Sequence, residues 1–516
     1  MRVKLSIKYY TFILYKMKNL VYFTFLLIFP LFTFSQTQSI AYPTVGKGVA
    51  TTFVTDYHCL GINSSALGWG TGYEGYKKTM GMSEFAFGMF SDSLNATKLK
   101  NLFGGMRDRL VGNIPEKLDE QSRKTTVADY AEAGVSMFFD YNWAGFSFQG
   151  KRFGGIAFNI KESYQYSSTF STKFSDLIFR GNSSSYFDSL QVAFDGDTSM
   201  IANRDNISPD SLSSVINGSR TVRLPLNLSE LTNGSSIRMV WNRSYNIGYG
   251  RKIFGKDSLF VLYGGVGGRF IQSMAMFNLE SDENGLRMYS STSPSMDIDY
   301  GTVASSNPSN FVSSASGLPK AIGNGYGIDL SASVILFSKI KVAASVNNIG
   351  QVKYKRNVYS VRDTLVGSLS LPGLEDYDVT QSINNLLSSG GLLTLQGEEE
   401  YILPNASDFR LGASFQPWKF LHVGFDMVAP FNNDNPGSIQ NPVYSFGGEI
   451  RPVKWLALSC GYFGGGVYQN NMPVGINFIL KDGGYEIGIS SRDAIAFFSN
   501  KGNTISTAFG FARVRF

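Results

Sequence analysis

The C-terminal half of this chain alternates between apolar and polar residues with a period of two. In residues 408–416 every second residue is Phe, Leu or Ala, and a polar residue or glycine stands between them. Residues 421–427 and 485–490 repeat the pattern. A period of two places neighbouring side chains on opposite faces of a β-strand. The pattern therefore predicts an all-β fold whose strands separate two different environments.

The segments between the alternating runs fall into two classes. Four are tight and contain Pro, Gly or Lys, at 337–340, 416–419, 451–454 and 481–484. The others are long and polar, at roughly 165–235, 280–324, 350–406, 430–441, 464–472 and 491–503. Because the two classes alternate along the chain, tight turns gather at one end of the sheet and long loops at the other. Outer-membrane β-barrels have this asymmetry.

Composition agrees with a barrel that has lipid outside and water inside. Charged residues make up 17% of the chain, below the ~25% of soluble domains, and no apolar run after residue 35 is long enough for a spanning helix. We predict a transmembrane antiparallel β-barrel of about 14 strands, within a range of 12 to 16. The strands are expected near 131–139, 143–150, 152–164, 236–249, 258–278, 325–336, 340–348, 407–416, 420–429, 442–450, 455–463, 473–480, 484–490 and 504–516. The run Ser83–Ser91 is one further candidate.

The two ends of the chain indicate export and membrane insertion. Residues 1–35 combine basic Lys18 with an apolar run and small residues before Gln36, as an export signal does, and an uncleaved anchor is the alternative. We therefore divide the chain into a signal peptide (1–35), a hatch-like or plug-like segment (36–130) and the barrel (131–516). The final Phe516 closes an alternating run and is predicted to be the signal that the barrel assembly machinery reads during insertion.

Charge argues against a nucleic-acid partner. Residues 1–35 hold five basic and no acidic residues, which leaves 41 basic and 40 acidic residues in the rest of the chain. A nearly neutral chain lacks the basic surface that nucleic acid requires. The expected surroundings are instead the lipids of the outer membrane of a Gram-negative bacterium.

The polar face of the alternating strands predicts which side chains line the lumen. These are Asp329, Arg410, His422, Asp426, Glu486, Arg513 and Arg515. In the last strand the same phase turns Phe509 and Phe511 inward, where they would pack on an inner plug. A β-bulge that shifts the alternation is the alternative.

One N-terminal stretch resembles a known family. Residues 45–50 are rich in Gly, Asp56 follows, and residues 60–68 read Leu-Gly-Ile-Asn-Ser-Ser-Ala-Leu-Gly. They resemble the N-terminal hatch of the long-chain fatty-acid transporter superfamily, in which an Asn-Pro-Ala-Gly-like turn follows an Asp. Ser64 stands at the place of the proline. The resemblance, which extends to barrel proteins of type IX secretion, implies a hatch role for Gly46, Gly48, Asp56 and Asn63. An ordinary Gly/Asn-rich turn is the alternative.

The resemblance implies an outer-membrane barrel that passes or binds hydrophobic small molecules. The alternative is a non-enzymatic accessory or scaffold barrel of a protein-secretion or surface assembly, whose partner would be a protein of that complex. With two His, two Cys and no Gly-x-Ser-x-Gly motif, the sequence predicts no metal, no cofactor and no enzymatic activity. A barrel hydrolase that uses His422 as its base is the remaining enzymatic alternative.

Overall fold

The computed structural model describes most of the chain beyond residue 40. The described residues are 41–91, 95, 97, 120–131, 133–150, 152–194, 196–204, 206–256, 259–296, 298–313, 319–371, 373, 392–433, 435–439, 441–465, 468–495 and 502–516. The export signal predicted for residues 1–35 lies outside them. Within these ranges, no helix combines the length and the apolarity that crossing a membrane requires.

The described residues form twenty-three strands. In chain order these are β1 (Lys78–Ser91), β2 (Val135–Gly150), β3 (Gly154–Thr169), β4 (Ser189–Phe194), β5 (Asp197–Ala202), β6 (Val215–Ser219), β7 (Ser236–Lys256), β8 (Phe260–Asp282), β9 (Gly285–Thr292), β10 (Gly323–Leu336), β11 (Ile340–Tyr354), β12 (Val358–Arg362), β13 (Ser368–Leu369), β14 (Thr394–Gly397), β15 (Tyr401–Pro404), β16 (Asp408–Trp418), β17 (Leu421–Pro430), β18 (Val443–Val453), β19 (Leu456–Gly465), β20 (Tyr468–Asn471), β21 (Val474–Leu480), β22 (Tyr485–Ser491) and β23 (Thr504–Arg515).

Fourteen of these strands close into one antiparallel barrel. They are β1, β2, β3, β7, β8, β10, β11, β16, β17, β18, β19, β21, β22 and β23, each paired with the next. The barrel closes where β1 pairs with β23. Closure leaves no edge strand in the bilayer, where an unpaired backbone group has no water to bond. The predicted fold class, strand number and turn asymmetry are confirmed.

The predicted boundaries at the start of the barrel were wrong. The two strands expected at 131–139 and 143–150 are the single strand β2, whose register shifts at a bulge between Asn142 and Ala144. A bulge breaks the period of two, so one long strand resembles two short ones. The candidate at Ser83–Ser91 belongs to β1, which pairs with both β2 and β23. The barrel therefore begins at Lys78 and not at residue 131.

Aromatic side chains mark one rim of the barrel. At the end where the tight turns lie, here called the tight-turn end, large exposed aromatic residues follow one another around the circumference. They are Phe153, Phe254, Phe337, Trp418, Phe420, Trp455 and Phe516. Membrane β-barrels place such a girdle at the level of the lipid headgroups. The outer surface of this rim thus fits a bilayer interface.

Helices lie in the N-terminal segment and in the long loops. They are α1 (Tyr42–Val45), α2 (Glu120–Tyr130), α3 (Thr172–Arg180), α4 (Pro209–Ser213), α5 (Leu228–Thr232) and α6 (Val303–Ser306), with 3-10 turns at Asp56–Cys59, Ser64–Trp69, Gly181–Ser183, Pro294–Met296 and Lys481–Gly483. At the opposite rim, the long-loop end, β4, β5, β6 and β13 form a second, small sheet. Phe174 and Leu177 of α3 share one apolar core with Met239 and Phe277 of the barrel strands. The loops are therefore a packed layer on the barrel.

Candidate functional site: the plug and its two faces

Residues 41–76, here called the plug, lie inside the barrel. Ser490 of β22 donates to the carbonyl of Tyr42 at 3.0 Å, and Gln149 of β2 donates to that of Leu67 at 3.1 Å. Asp426 of β17 accepts from the backbone N–H groups of residues 50 and 51 at 2.5 and 2.8 Å. These strands are distributed around the circumference, so a segment that contacts all of them fills the lumen.

One side of the plug rests on a row of glycines, here called the glycine face. Gly155, Gly250 and Gly265 are direct cross-strand neighbours on β3, β7 and β8. A Cβ atom at any of them would overlap the plug backbone between Ser64 and Leu67. Glycine is required here because two backbones approach more closely than any side chain permits.

Serines continue this row and hydrogen-bond the plug. Ser331, the partner of Gly265 on β10, accepts from the N–H of Ser65 at 2.8 Å. Ser345 on β11 donates to the carbonyl of Ile62 at 2.6 Å. The backbone of the plug is irregular here, and these serines supply hydrogen-bond partners that a regular helix or sheet would otherwise provide. Contact on this side is made by shape and neutral hydrogen bonds.

The opposite side of the plug meets buried charges, here called the charged face. Arg513 of β23 forms an ion pair with Asp56 of the plug and another with Glu486 of β22 at 3.0 Å. Arg515 reaches the same glutamate at 2.6 Å. All four side chains are at most 5% exposed. Burial alone would raise the pKa of Asp56, but the Arg513 guanidinium holds it well below its usual value.

Glu84 of β1 is a second carboxylate of the charged face and has three hydrogen-bonding neighbours. It accepts from the Tyr57 hydroxyl at 2.6 Å and from the Asn142 amide at 2.9 Å, and His58 Nε2 lies 3.0 Å away. Burial would lower the pKa of His58, but Glu84 and a hydrogen bond to Asp56 raise it above its ordinary value. The imidazole therefore favours its charged form between two carboxylates.

The barrel wall is interrupted beside the charged face. Pairing of β1 with β23 runs through Thr79–Arg515 and Met80–Val514 and resumes at Phe85–Phe509. Between these described pairs, residues 81–84 and 510–513 have no ladder partner across the junction. Ser83 has a positive φ of 53°, as expected at a bulge. We call this interruption the seam.

A bulge in β23 changes which side chains of the last strand face the lumen. Phe511 is 44% exposed on the outer surface, whereas Ala508 and Arg513 are buried. The inward-facing residues change from even to odd numbers between 510 and 513, in agreement with the shifted register of β22 and β23. The inward orientation predicted for Phe509 and Phe511 was therefore wrong, and the bulge alternative holds.

Two plug tyrosines cover the seam from inside. A Cβ on Gly510 would overlap the ring of Tyr42, and one on Gly81 would overlap the hydroxyl of Tyr57. Both rings are fully buried. The seam lacks backbone pairing at the point where the plug supplies aromatic surface.

The structure places the other predicted residues as follows. Asn63 donates to the carbonyl of Thr51 at 2.8 Å and so ties two turns of the plug together. Gly46 packs against Gly475, and Gly48 has a positive φ of 71°. The carbonyl of Phe516 accepts from the N–H of Lys78, which joins the chain end to β1. The hatch role of these glycines and the insertion role of Phe516 stay predictions.

The predicted lumenal side chains of the remaining strands have partners in or near the plug; Asp329 and Arg410 are buried and His422 is half-buried. Asp329 pairs with Arg269 at 2.6 Å, and Arg410 pairs with Asp408 at 2.9 Å. The imidazole of His422 stacks on Phe53 of the plug with ring centroids 4.0 Å apart.

Two cavities flank the plug. The outer cavity, of about 160 Å³, opens toward the long-loop end and is bounded below by Tyr57, His58 and Gly61. The inner cavity, of about 180 Å³, lies toward the tight turns, where Lys341, Arg451 and Arg515 line it. The plug therefore separates two compartments of the lumen.

Sequence reasoning missed Glu84, Tyr57 and Arg269. Glu84 is the only charged residue of β1 after Lys78, and a lone acid in an apolar alternating run was a usable signal. Alternation predicts the run Ser83–Ser91 only as a further candidate strand, so Glu84 does not stand out as a lumenal residue. Tyr57 and Arg269 carry no comparable pattern, since their roles depend on contacts between distant strands.

A family model describes most of this barrel. It matches residues 132–482, which is more than half of the chain. The chain belongs to the DUF5723 family. The description of that family is "family of unknown function". A comparison with curated protein sequences finds no match.

Solved barrels of similar fold have low sequence identity to this DUF5723 protein. The Pseudomonas putida toluene transporter TodX is 10% identical, with 92% of this chain and 96% of that chain covered and a TM-score of 0.36. A Pseudomonas aeruginosa FadL homologue is 10% identical, with 94% and 99% covered and a TM-score of 0.39. The Ralstonia pickettii toluene transporter TbuX is 11% identical, with 92% and 97% covered and a TM-score of 0.40. Each of these comparisons covers nearly the whole of both chains.

Proposed function

We propose that this protein is an outer-membrane barrel of a Gram-negative bacterium that passes hydrophobic small molecules from its outer cavity to the bilayer. The observation that carries the proposal is the seam. The plug lies across the lumen, and the wall is interrupted beside it between β1 and β23. A ligand that is apolar can leave through the wall because the bilayer is a favourable destination for it.

The seam is a weak place in the wall because its backbone lacks cross-strand pairing. Closed barrels pair every strand because an unsatisfied N–H or C=O group is costly in hydrocarbon. Four residues of β1 and four of β23 have no ladder partner across the seam. Tyr42 and Tyr57 cover this gap from inside. A weak junction at the level of a plug is a suitable place for local opening, since few hydrogen bonds have to break.

The test is a disulfide across the seam. Ser83 and Phe511 face each other if the register on either side of the seam is continued. We expect proteoliposomes of the wild-type protein to take up a fluorescent hydrophobic probe faster than empty liposomes. The double variant Ser83→Cys/Phe511→Cys should lose this uptake when oxidised and regain it on reduction, and each single variant serves as a control.

Two outcomes would count against the proposal. One is uptake no faster than that of empty liposomes. The other is unchanged uptake when the seam is shown to be cross-linked, because the ligand would then cross elsewhere.

The second candidate is an accessory or scaffold role in a protein-secretion or surface assembly. The observation that favours it is apolar surface on the loop layer, where Val222 and Leu224 are 85% and 86% exposed and Leu365 is 64% exposed. Exposed apolar clusters mark interaction surfaces in many proteins. Purification after cross-linking in native membranes would test it, and a barrel that is always recovered alone would contradict it.

A further inference from the structure

The lining of the outer cavity combines neutral polar groups with apolar side chains such as Val240, Ile271 and Leu403. The polar part of its wall above the plug comes from amide side chains of β3, β7, β11 and the segment before β16, together with serine hydroxyls. Representative members are Asn159, Gln165, Asn242, Asn246, Asn405 and Ser407. Sites for purely apolar ligands are lined predominantly by hydrophobic side chains. This lining is therefore suited to a ligand, or a part of one, that forms hydrogen bonds.

The charged groups of the lining are already neutralised within the protein. Lys161 pairs with Asp140 at 3.1 Å. Arg269 pairs with Asp329 at 2.6 Å, and Arg410 pairs with Asp408 at 2.9 Å. A ligand with a net charge would have to give up its hydration without meeting an unmatched opposite charge. The lining thus disfavours both anions and cations.

Three residues of the lining carry buried polar atoms, both donors and an acceptor, that have no hydrogen-bond partner among the described residues. Arg410 is only 2% exposed, yet its Nη1 has no hydrogen-bond partner in the described part of the chain. The same holds for Nε of Arg269, which is another donor, and for Oδ1 of Asn242, which is an acceptor. Buried polar groups normally find partners, so these atoms point to a ligand that supplies both donors and acceptors.

We infer that the outer cavity binds an uncharged, hydroxyl-rich ring, such as a saccharide, as the head of an amphiphile. A ring with several hydroxyl groups offers both donors and acceptors, which are what the unpartnered atoms of Arg410 and Asn242 require. The inference rests on the proposed function, because it names the polar part of the molecule that the barrel passes. A free saccharide offers the same chemistry without the apolar chain, and the experiment separates the two sources.

The experiment measures binding by calorimetry to the full-length protein in amine-oxide micelles. The probes are dodecyl maltoside, maltose, dodecyl sulfonate and dodecane. We expect dodecyl maltoside to bind at least about tenfold more tightly than the sulfonate or the alkane, a difference that one well-placed hydrogen bond to a buried group can supply. Binding of maltose alone with equal affinity would support the cavity as a saccharide site that ignores the chain.

Three variants locate the site. Asn242→Leu should weaken dodecyl maltoside binding about tenfold. Arg410→Lys keeps the charge beside Asp408 but removes the unpartnered Nη1 donor, and it should weaken binding to a similar extent. It is the test to use if Asn242→Leu does not fold. Asn471→Leu is the matched control, since the side-chain amide of Asn471 is also buried without a hydrogen-bond partner among the described residues but lies outside the cavity. It should leave binding unchanged.

Equal binding of all three dodecyl compounds, or normal maltoside binding by both cavity variants, would overturn the inference. Failure of the proposed function looks different. In that case maltoside would still bind and depend on Asn242, while proteoliposomes would show no uptake through the seam.

Discussion

The plug is held by two faces that use opposite physical means. On the glycine face, Gly155, Gly250 and Gly265 let backbone meet backbone, and serines supply neutral hydrogen bonds. On the charged face, Asp56 and His58 meet buried carboxylates and guanidinium groups of β1, β22 and β23. Steric fit does not respond to pH or salt, whereas ion pairs depend on protonation. The contact at the glycine face is therefore independent of pH and salt, whereas the contact at the charged face is conditional on protonation.

This difference between the two faces matches a difference in the backbone pairing of the strands behind them. Behind the glycine face, β3, β7 and β8 pair without interruption at the level of the plug. Behind the charged face, β1 and β23 lose their pairing at the seam. The conditional contact thus lies against the weak part of the wall. Release of the charged face would uncover the seam while the glycine face still anchored the plug.

The largest effect should come from Arg513→Gln. The change leaves Asp56 buried without its main counter-charge, and removal of one partner of a buried ion pair costs about 3–5 kcal/mol. We expect protease to cut the plug at concentrations that spare the wild-type protein, and the urea midpoint to fall. Arg287→Ala is the control, because Arg287 is 61% exposed and its surface pairs contribute about 0–1 kcal/mol. Equal effects of the two variants would contradict the charged-face model.

The next largest effect should come from Gly265→Ala. The added methyl group would overlap the backbone at Ser64 and Ser65, and overpacking costs about 1–3 kcal/mol. Gly268→Ala, three residues along β8, is the control because a Cβ there meets nothing within 4 Å. Heat-modified migration on gels would report the loss. A Gly265→Ala barrel as heat-resistant as the Gly268→Ala barrel would show that the close approach is not required.

A smaller effect is expected for Ser331→Ala on the same face. The variant leaves the N–H of Ser65 without its acceptor, a loss of about 1 kcal/mol. Because the bond is neutral, the loss should be the same at low and high salt in urea titrations. A loss that disappears at high salt would mean that this face is not governed by neutral contacts.

The smallest expected effect is a pH dependence of plug retention through His58. Its pKa is raised in the folded protein, so the stabilisation is full below the ordinary value of 6.5 and is lost as pH rises through the raised pKa. The groups around it are Asp56, Glu84, Arg513 and the two tyrosines of the seam. Plug proteolysis should therefore increase with pH in the wild type. His58→Gln should flatten this dependence, and an unchanged slope in the variant would assign it to another group.

The barrel could be predicted from sequence because lipid imposes a simple rule. Side chains of β16 and β17 must alternate between bilayer and lumen, and that period is visible in residues 408–430. The same rule fails where bulges change the phase, as at Trp143 of β2 and near Phe511 of β23. The errors at the start and at the end of the barrel therefore concern β1, β2 and β23, and two of these strands, β1 and β23, flank the seam.

The site could be predicted only in part. Arg513, Arg515, Glu486 and Asp426 are polar residues in apolar strands, so their inward orientation follows from periodicity. Their partners do not, because Arg513 meets Asp56 across 457 residues of sequence. Contacts between the plug and the wall depend on how the chain threads the barrel, and no local pattern records that.

The position of Tyr42 has a consequence for the order of assembly. Its ring lies over Gly488 and Gly510, so the final hairpin of β22 and β23 is shaped on a piece of chain translated more than 400 residues earlier. Only a short link, residues 70–77, joins that piece to β1. The last hairpin therefore reaches its final packing only when the N-terminal piece is in position, and an early part of the polypeptide shapes a late one.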